Sequence, residues 1–305
     1  MNFWDREIVE QKHIPWMGIP EVRQYINQLI GGDEMLWPMD WLQRWLAGRR
    51  FGRVLSIGCG GGALERQLIE SGLAQSVDAF DGSVNSLRLA RQAADAAGYG
   101  AAIRYFAADF NEPSLPARTY DAVFFHQSAH HVGKLEKLYR AILRALKADG
   151  LLYLDEYVGP SSCDWNDALI APQRAEYAAI DPRLRTHEVL PYPIQVDDPT
   201  EAIRSSEIEP QLRIGFEVVA RRPMGGTLLA LLMPQLRIEL LTPAIIERLI
   251  NRERALLAGG MPSYYAIIVA RPKRGMRKTW ARLRYFIEPK AKAQRIKLRR
   301  RFTGH

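Results

Sequence analysis

Two hydrophobic periodicities divide the chain. Through residue 50 the apolar positions recur at helical spacing, with Val22, Tyr25, Ile26 and Leu29 forming one stripe and Leu42, Trp45 and Leu46 another, which predicts amphipathic helices. From Arg53 onward short apolar runs alternate with amphipathic stretches, the pattern of a parallel sheet whose crossover helices cover both faces. Strands are predicted over 53 to 57, 76 to 80, 102 to 107, 121 to 126 and 150 to 156. Helices are predicted over 83 to 97 and 134 to 147, with Gly98 and Gly150 as their stops. Beyond the fifth strand the alternation lapses for about sixty residues that include Pro160, Pro172, Pro182, Pro191, Pro193 and Pro199, too long for an ordinary connection. A strand over 216 to 221, a helical stretch over 227 to 257 and a strand over 264 to 270 follow, the two strands placed to pair as a hairpin at the sheet edge.

The predicted organisation is an N-terminal helical lid (1–50), a core (51–158), an inserted cap (159–215), an edge strand pair with an intervening helix (216–273) and a basic tail (274–305). Trp16, Trp37, Trp41 and Trp45 either line a sugar or aromatic pocket or pack the lid on the core. The net charge of +8 is misleading as a whole-chain property: residues 271–305 hold 14 Lys/Arg against one Glu, a net of +13 that leaves −5 on the remaining 270 residues. In that tail the basic residues interleave with Trp280, Leu283, Tyr285, Phe286, Ile287, Ile296 and Leu298. Such a segment is either a solvated extension or an amphipathic contact with an anionic membrane surface. Nucleic-acid binding is the weaker reading, because no RNA-reading module accompanies the charge. With no leader-like start and no long apolar run, the expected location is cytoplasmic, with possible peripheral contact at the inner face of the membrane. Two cysteines, Cys59 and Cys163, suggest neither a disulfide nor a metal site by their spacing, and no metal is expected.

The first chemical signal is the run Val54-Leu55-Ser56-Ile57-Gly58-Cys59-Gly60-Gly61-Gly62-Ala63-Leu64-Glu65, a strand passing through a glycine turn into a helix. Glycines there permit positive φ and close approach of a ligand, and the helix start favours anionic groups. Gly58, Gly60 and Ala63 also satisfy the relaxed dinucleotide pattern, so a nicotinamide-dependent oxidoreductase stands as an alternative at this point. Two acids follow at predicted strand ends, where an open parallel sheet binds its ligand: Asp81, suited to a ribose, and Asp109, suited to an adenine amino group with Phe110 as apolar cover.

Taken in order, VLSIGCGGG, DAFDGS, AADF, YDAVFFHQSAHHV and LKADGLLYLDE resemble the motif set of class I S-adenosylmethionine-dependent methyltransferases over roughly residues 50–158. The resemblance implies an α/β Rossmann-like fold with S-adenosylmethionine as cofactor. It implies that Gly58, Cys59, Gly60 and Gly62 hold the methionine part, Asp81 and Gly82 the ribose, and Asp109 and Phe110 the adenine, with His126 and Gln127 closing over the sulfonium. A narrower likeness in DEYVGP (155–160), DDPTEAIRSSEI (197–208) and MGGTLLALL (224–232) is to bacterial methyltransferases associated with surface-glycan or secondary-metabolite pathways. The sequence lacks the Asn-Pro-Pro-Tyr tetrapeptide of many amino-group methyltransferases, which turns the expectation toward a hydroxyl acceptor.

Methyl transfer to a hydroxyl needs alignment and removal of a proton. The candidate bases are His130, His131 and Glu156; His131 is favoured, Glu156 is an alternative base or acceptor contact, and Tyr157 could orient the acceptor. The expected partner is a small-molecule or glycan acceptor. An RNA-directed methyltransferase using the basic tail, and a subunit that keeps the cofactor as a structural ligand, are the remaining alternatives.

Overall fold

The computed structural model describes residues 16–274 except residue 196, so the basic tail, with the membrane and nucleic-acid readings attached to it, lies outside the described residues apart from Arg274. A seven-stranded sheet is formed by β1 (Phe51–Ile57), β2 (Ala74–Asp81), β3 (Ile103–Ala107), β4 (Tyr120–His126), β5 (Leu146–Tyr157), β6 (Phe216–Pro223) and β7 (Tyr265–Pro272). Their spatial order is β3-β2-β1-β4-β5-β7-β6. The first five strands are parallel, and β7 runs antiparallel to both of its neighbours. This is the predicted Rossmann-like α/β fold, with its order reversing on either side of β1.

The central strands read as unbroken apolar runs because helices cover both faces. Side chains alternate across the sheet. Val54, Phe124, Tyr153, Ile267 and Val269 join one core with the N-terminal helices α1 (Pro20–Gly31) and α2 (Pro38–Trp45). Leu55, Ile57, Val123, Phe125, Leu154 and Ile268 join the other, against Leu138, Ile142 and Leu212. The register aligns Ile57 with both Phe80 and Phe125, and His126 with Asp155. The segments that follow β1, β2, β4 and β5 therefore emerge along a single rim.

Between the strands lie α3 (Ala63–Glu70), α4 (Val84–Ala96) and α5 (Leu135–Ala145). Ser83 caps α4 by accepting from the Ser86 N–H, and Gly98 stops it at φ +78°. Gly150 is not a helix stop. α5 ends at Ala145, and Leu146 already pairs with Tyr120 across an irregularity in the β4–β5 register, so Gly150 lies inside β5. Its glycine is explained by packing, since a Cβ there would lie 2.9 Å from Leu146 Cδ2.

The segment after β5 carries α6 (Asp167–Ala178) and α7 (Ile208–Gly215). The helical stretch predicted over 227 to 257 is broken into α8 (Leu229–Leu232), two 3₁₀ turns and α9 (Pro243–Ala258), with Pro234 and Pro243 withholding the N–H groups that continuity requires. The last two strands pair, but β7 lies inside the sheet beside β5, and of the two only β6 is an edge strand. Three of the four tryptophans pack and none lines the glycine turn: Trp16 lies 5.3 Å from the Tyr265 ring, Trp41 stacks with Trp45 beneath the Arg222 guanidinium, and Trp37 is exposed under the Arg23 guanidinium.

Candidate active site

Gly58, Gly60 and Gly62 all adopt positive φ as the chain leaves β1. Each has a different reason. A Cβ on Gly58 would lie 2.4 Å from Ser128 Cβ, because Ser128 Oγ donates to the Ile57 carbonyl and locks the β4 loop over the turn. A Cβ on Gly62 would lie 2.4 Å from the Tyr105 hydroxyl, so Gly62 serves the packing of α3 and does not line the cleft. Gly60 and Gly61 face open space, and Gly60 N–H donates to Asp81 Oδ2 at 2.9 Å. Asp81 Oδ1 accepts from Ser83 N–H, so a single carboxylate ties the glycine turn to the start of α4. Gly58→Ala combines a positive-φ penalty with a clash against a locked loop, and is expected to lower stability by about 2–4 kcal/mol in thermal or urea unfolding.

These elements border a cleft of about 330 Å³, within the range of small-ligand sites. Of the residues singled out from sequence, Gly58, Cys59, Gly60, Asp81, Gly82, Phe110, His126, Gln127 and His131 line it, whereas Gly62, Asp109, His130 and Glu156 do not. Asp109 is exposed, one residue before Phe110, with its Oδ1 accepting from the Asn111 N–H in an Asx turn. Burial pushes the Cys59 thiol well above its usual range, leaving it neutral and unreactive. Gln127 is held at φ +51°, with its N–H and side-chain amide donating to the Asp155 carbonyl and its amide also donating to Asp155 Oδ1. A left-handed glutamine is strained, and such strain gathers at functional sites.

Sequence reasoning assigned no role to Glu65. It lines the cleft from the first turn of α3, is fully buried, and neither carboxylate oxygen has a hydrogen-bond partner. Burial raises its pKa to about 7, against the lowering influence of the nearby Ser56 hydroxyl and the His126 and Arg66 charges. The available signal was helical spacing: Glu65 shares the inward face with Leu68, so the sequence puts an acid where a surface helix normally puts an apolar residue. A larger cleft of about 990 Å³ at the opposite rim holds charges that satisfy one another, Arg49 with Asp149 and Arg271 with Glu217.

The three candidate bases lie together, on and beside a 3₁₀ turn (Ala129–His131) after β4. Glu156 Oε2 accepts from the Ser128 and Ala129 N–H groups, and Oε1 accepts from the Tyr157 N–H and meets His130 Nδ1 at 2.5 Å. That carboxylate has no capacity left for a substrate proton. Burial pulls the His130 pKa down, but the Glu156 carboxylate, backed by Glu201 and Asp198, raises it to about 9. Burial and the neighbouring His130 charge take His131 down to about 2. Neither histidine is poised as a simple general base near neutrality.

Comparison with known proteins follows the same stretch of chain. Residues 55–154 match the family described as "Methyltransferase domain". This segment is a methyltransferase domain. Sterol 24-C-methyltransferase of Pneumocystis carinii is 26% identical over 176 residues, 57% of this chain and 42% of that protein. The chain thus spans less than half the length of the curated relatives it matches. Among solved structures, an O-methyltransferase from a trans-AT PKS multienzyme of Brevibacillus brevis, in complex with S-adenosyl-L-homocysteine, aligns at 17% identity with a TM-score of 0.48, covering 76% of this chain and 70% of its own. An S-adenosylmethionine-dependent methyltransferase from Mesorhizobium loti aligns at 20% identity with a TM-score of 0.44, covering 74% and 92%.

The cofactor of the methyltransferase domain is S-adenosylmethionine. The cleft fits it on its own chemistry. An orphaned buried carboxylate at Glu65 suits the ammonium of an amino acid, the bare backbone at Gly60 and Gly61 leaves room for its approach, and Phe110 offers an apolar face.

Proposed function

We propose that this chain transfers a methyl group from S-adenosylmethionine to a hydroxyl of a glycan, glycolipid precursor or secondary metabolite. The observation that carries the cofactor half is the convergence of Glu65, Asp81 and the open glycine turn in one cleft. In this reading Glu65 and the Gly58–Gly61 backbone hold the amino-acid end, Asp81 and Gly82 the ribose, and Phe110 with Asp109 the adenine. Gln127 and His131 face the acceptor from the segment that follows β4. When bound, the cofactor supplies an electrophilic methyl group on a sulfonium. The protein has to exclude water, align the acceptor and provide for the hydroxyl proton.

The hydroxyl acceptor rests on the likeness of DEYVGP, DDPTEAIRSSEI and MGGTLLALL to bacterial glycan and metabolite methyltransferases. A second reading, methylation at carbon as the names of the sterol relatives state for those proteins, is favoured by one feature. An aromatic wall of Tyr157, Tyr265 and Trp16 adjoins His130. Incubation of the full chain with methyl-¹³C donor and fractionated glycan, lipid, metabolite and RNA extracts separates the readings, because oxygen-bound and carbon-bound methyl carbons differ in ¹³C chemical shift. An O-methyl product is expected; a C-methyl product replaces the first reading with the second, and labelled RNA alone overturns both.

No helix among the described residues is long and apolar enough to cross a membrane. Peripheral attachment through residues 274–305 is part of the proposal. Sedimentation with anionic liposomes is expected to require that segment and to weaken as salt rises.

A further inference from the structure

The acceptor end of the cleft contains an arrangement that methyl transfer does not by itself call for. His130 and His131 point their Nε2 atoms at one oxygen, Glu201 Oε2, and each lies 3.7 Å from it. That separation is beyond hydrogen-bond reach. It is close to the spacing of two ligands on one tetrahedral metal ion, about 3.4 Å for metal–ligand bonds of about 2.0–2.2 Å. The other ring nitrogens are turned to supporting groups: His130 Nδ1 lies 2.5 Å from Glu156 Oε1, and His131 Nδ1 lies 3.3 Å from Thr200 Oγ1 and 3.6 Å from Asp198 Oδ2. His130 Nδ1 is thus held by a carboxylate and His131 Nδ1 by the Thr200 hydroxyl, itself donating to Asp198 Oδ1, and an Nδ1 held in this way with Nε2 directed at a common point is how proteins orient imidazoles around a metal.

The sequence assembles this cluster from two distant places. The histidines sit on the turn after β4, while Asp198 and Glu201 come from the segment following β5, fastened there by the Ile203 N–H donating to the His130 carbonyl. Glu156, Asp198 and both histidines are buried, and Asp198 Oδ2 has no hydrogen-bond partner. Three carboxylates therefore surround two imidazoles with little solvent, an excess of negative charge that buried sites resolve by pairing or by coordinating a cation. Glu201, whose side chain is 23% exposed, gives an ion access from solvent.

We propose that His130, His131 and Glu201 bind a divalent transition-metal ion, with Glu156, Asp198 and Thr200 orienting the ligands. Two nitrogens and one carboxylate favour zinc or a similar ion over magnesium or calcium, which prefer all-oxygen surroundings. Three protein ligands leave a fourth position open. His131 also lines the cleft, so an acceptor hydroxyl at that position would be acidified and its proton released to solvent. This last use rests on the methyl-transfer reading, whereas the metal site itself does not.

The test uses the full chain after dialysis against chelator. Titration with Zn²⁺ by calorimetry is expected to give one equivalent bound at micromolar affinity or tighter. Substituted Co²⁺ is expected to show the intense visible bands of four-coordination, a reading that needs no variant. Glu201→Gln and His131→Asn are each expected to weaken Zn²⁺ binding by about 100-fold or more, and Asp198→Asn by about 10-fold, while Glu65→Gln leaves it unchanged. No stoichiometric binding by the wild type, or equal binding by the wild type and both ligand variants, overturns the proposal. S-adenosylmethionine affinity of the chelated wild type is measured alongside. Metal failure with cofactor binding intact leaves methyl transfer standing, and metal binding without cofactor binding does the reverse.

Discussion

Replacing Glu65 by Gln is expected to weaken S-adenosylmethionine binding by roughly 30- to 150-fold while making the empty protein more stable above neutral pH. The loss follows from a buried charge-assisted contact with the cofactor's ammonium, on the order of 2–3 kcal/mol. The gain follows from removing a buried carboxylate whose burial the nearby Ser56 hydroxyl and the His126 and Arg66 charges do not offset. The pKa of Glu65 is raised from 4.5 to about 7, with burial as the largest cause. Its contribution to stability is thus fully present below about pH 4.5 and is lost as pH rises through about 7, a total on the order of 3 kcal/mol. Gln avoids that loss, so the variant and wild-type melting curves should diverge as pH increases. An ammonium arriving at Glu65 favours the ionised form, so cofactor affinity should rise with pH through neutrality and binding should release a proton. Calorimetry in buffers of different ionisation enthalpy reads that proton directly. Equal affinity of Glu65→Gln and wild type, with no proton released, would remove Glu65 from the cofactor site.

That Glu65 escaped the sequence reading shows where such reading stops. Strands such as Val54–Ile57 and Leu151–Leu154 are legible because covering both faces of a sheet requires unbroken apolar runs, and the glycine turn is legible because positive φ restricts residue choice. Leu146–Asp149 is not legible, because Leu146 continues the helical spacing of Leu135, Leu138 and Ile142 and only its long-range pairing with Tyr120 makes it strand. The break between α8 and α9 was signalled by Pro234 and Pro243, which the apolar periodicity outweighed in the sequence reading. Within the site, Asp81 and Phe110 are found by counting from strand ends. Asp198 and Glu201 cannot be found that way. They reach the histidine turn through a tertiary connection some seventy residues along the chain, and nothing in their local pattern encodes the contact.

Glu156→Ala is expected to destabilise the chain by about 3–5 kcal/mol, lowering the unfolding midpoint by roughly 10 °C. The size of the effect comes from what the truncation strands. The backbone N–H groups of Ser128, Ala129 and Tyr157 lose their acceptor, and His130, whose pKa stands near 9 chiefly because Glu156 offsets its burial, loses its counterion, gives up its proton and keeps an unpaired buried ring N–H. Glu201, 3.7 Å from His130 Nε2 and partly exposed, is too distant to compensate fully. Glu156→Gln retains one acceptor oxygen and the shape of the side chain, and should recover part of the stability. The consequence reaches the cofactor side, because Ser128, fixed through its N–H by Glu156, is also the residue whose hydroxyl bonds to Ile57 and closes over Gly58. Both variants should therefore bind S-adenosylmethionine more weakly than wild type under conditions where they remain folded, with Ala affected more than Gln. An Ala variant within about 1 kcal/mol of wild type in urea unfolding would show that the β4 loop is held by its packing and not by the carboxylate at the end of β5.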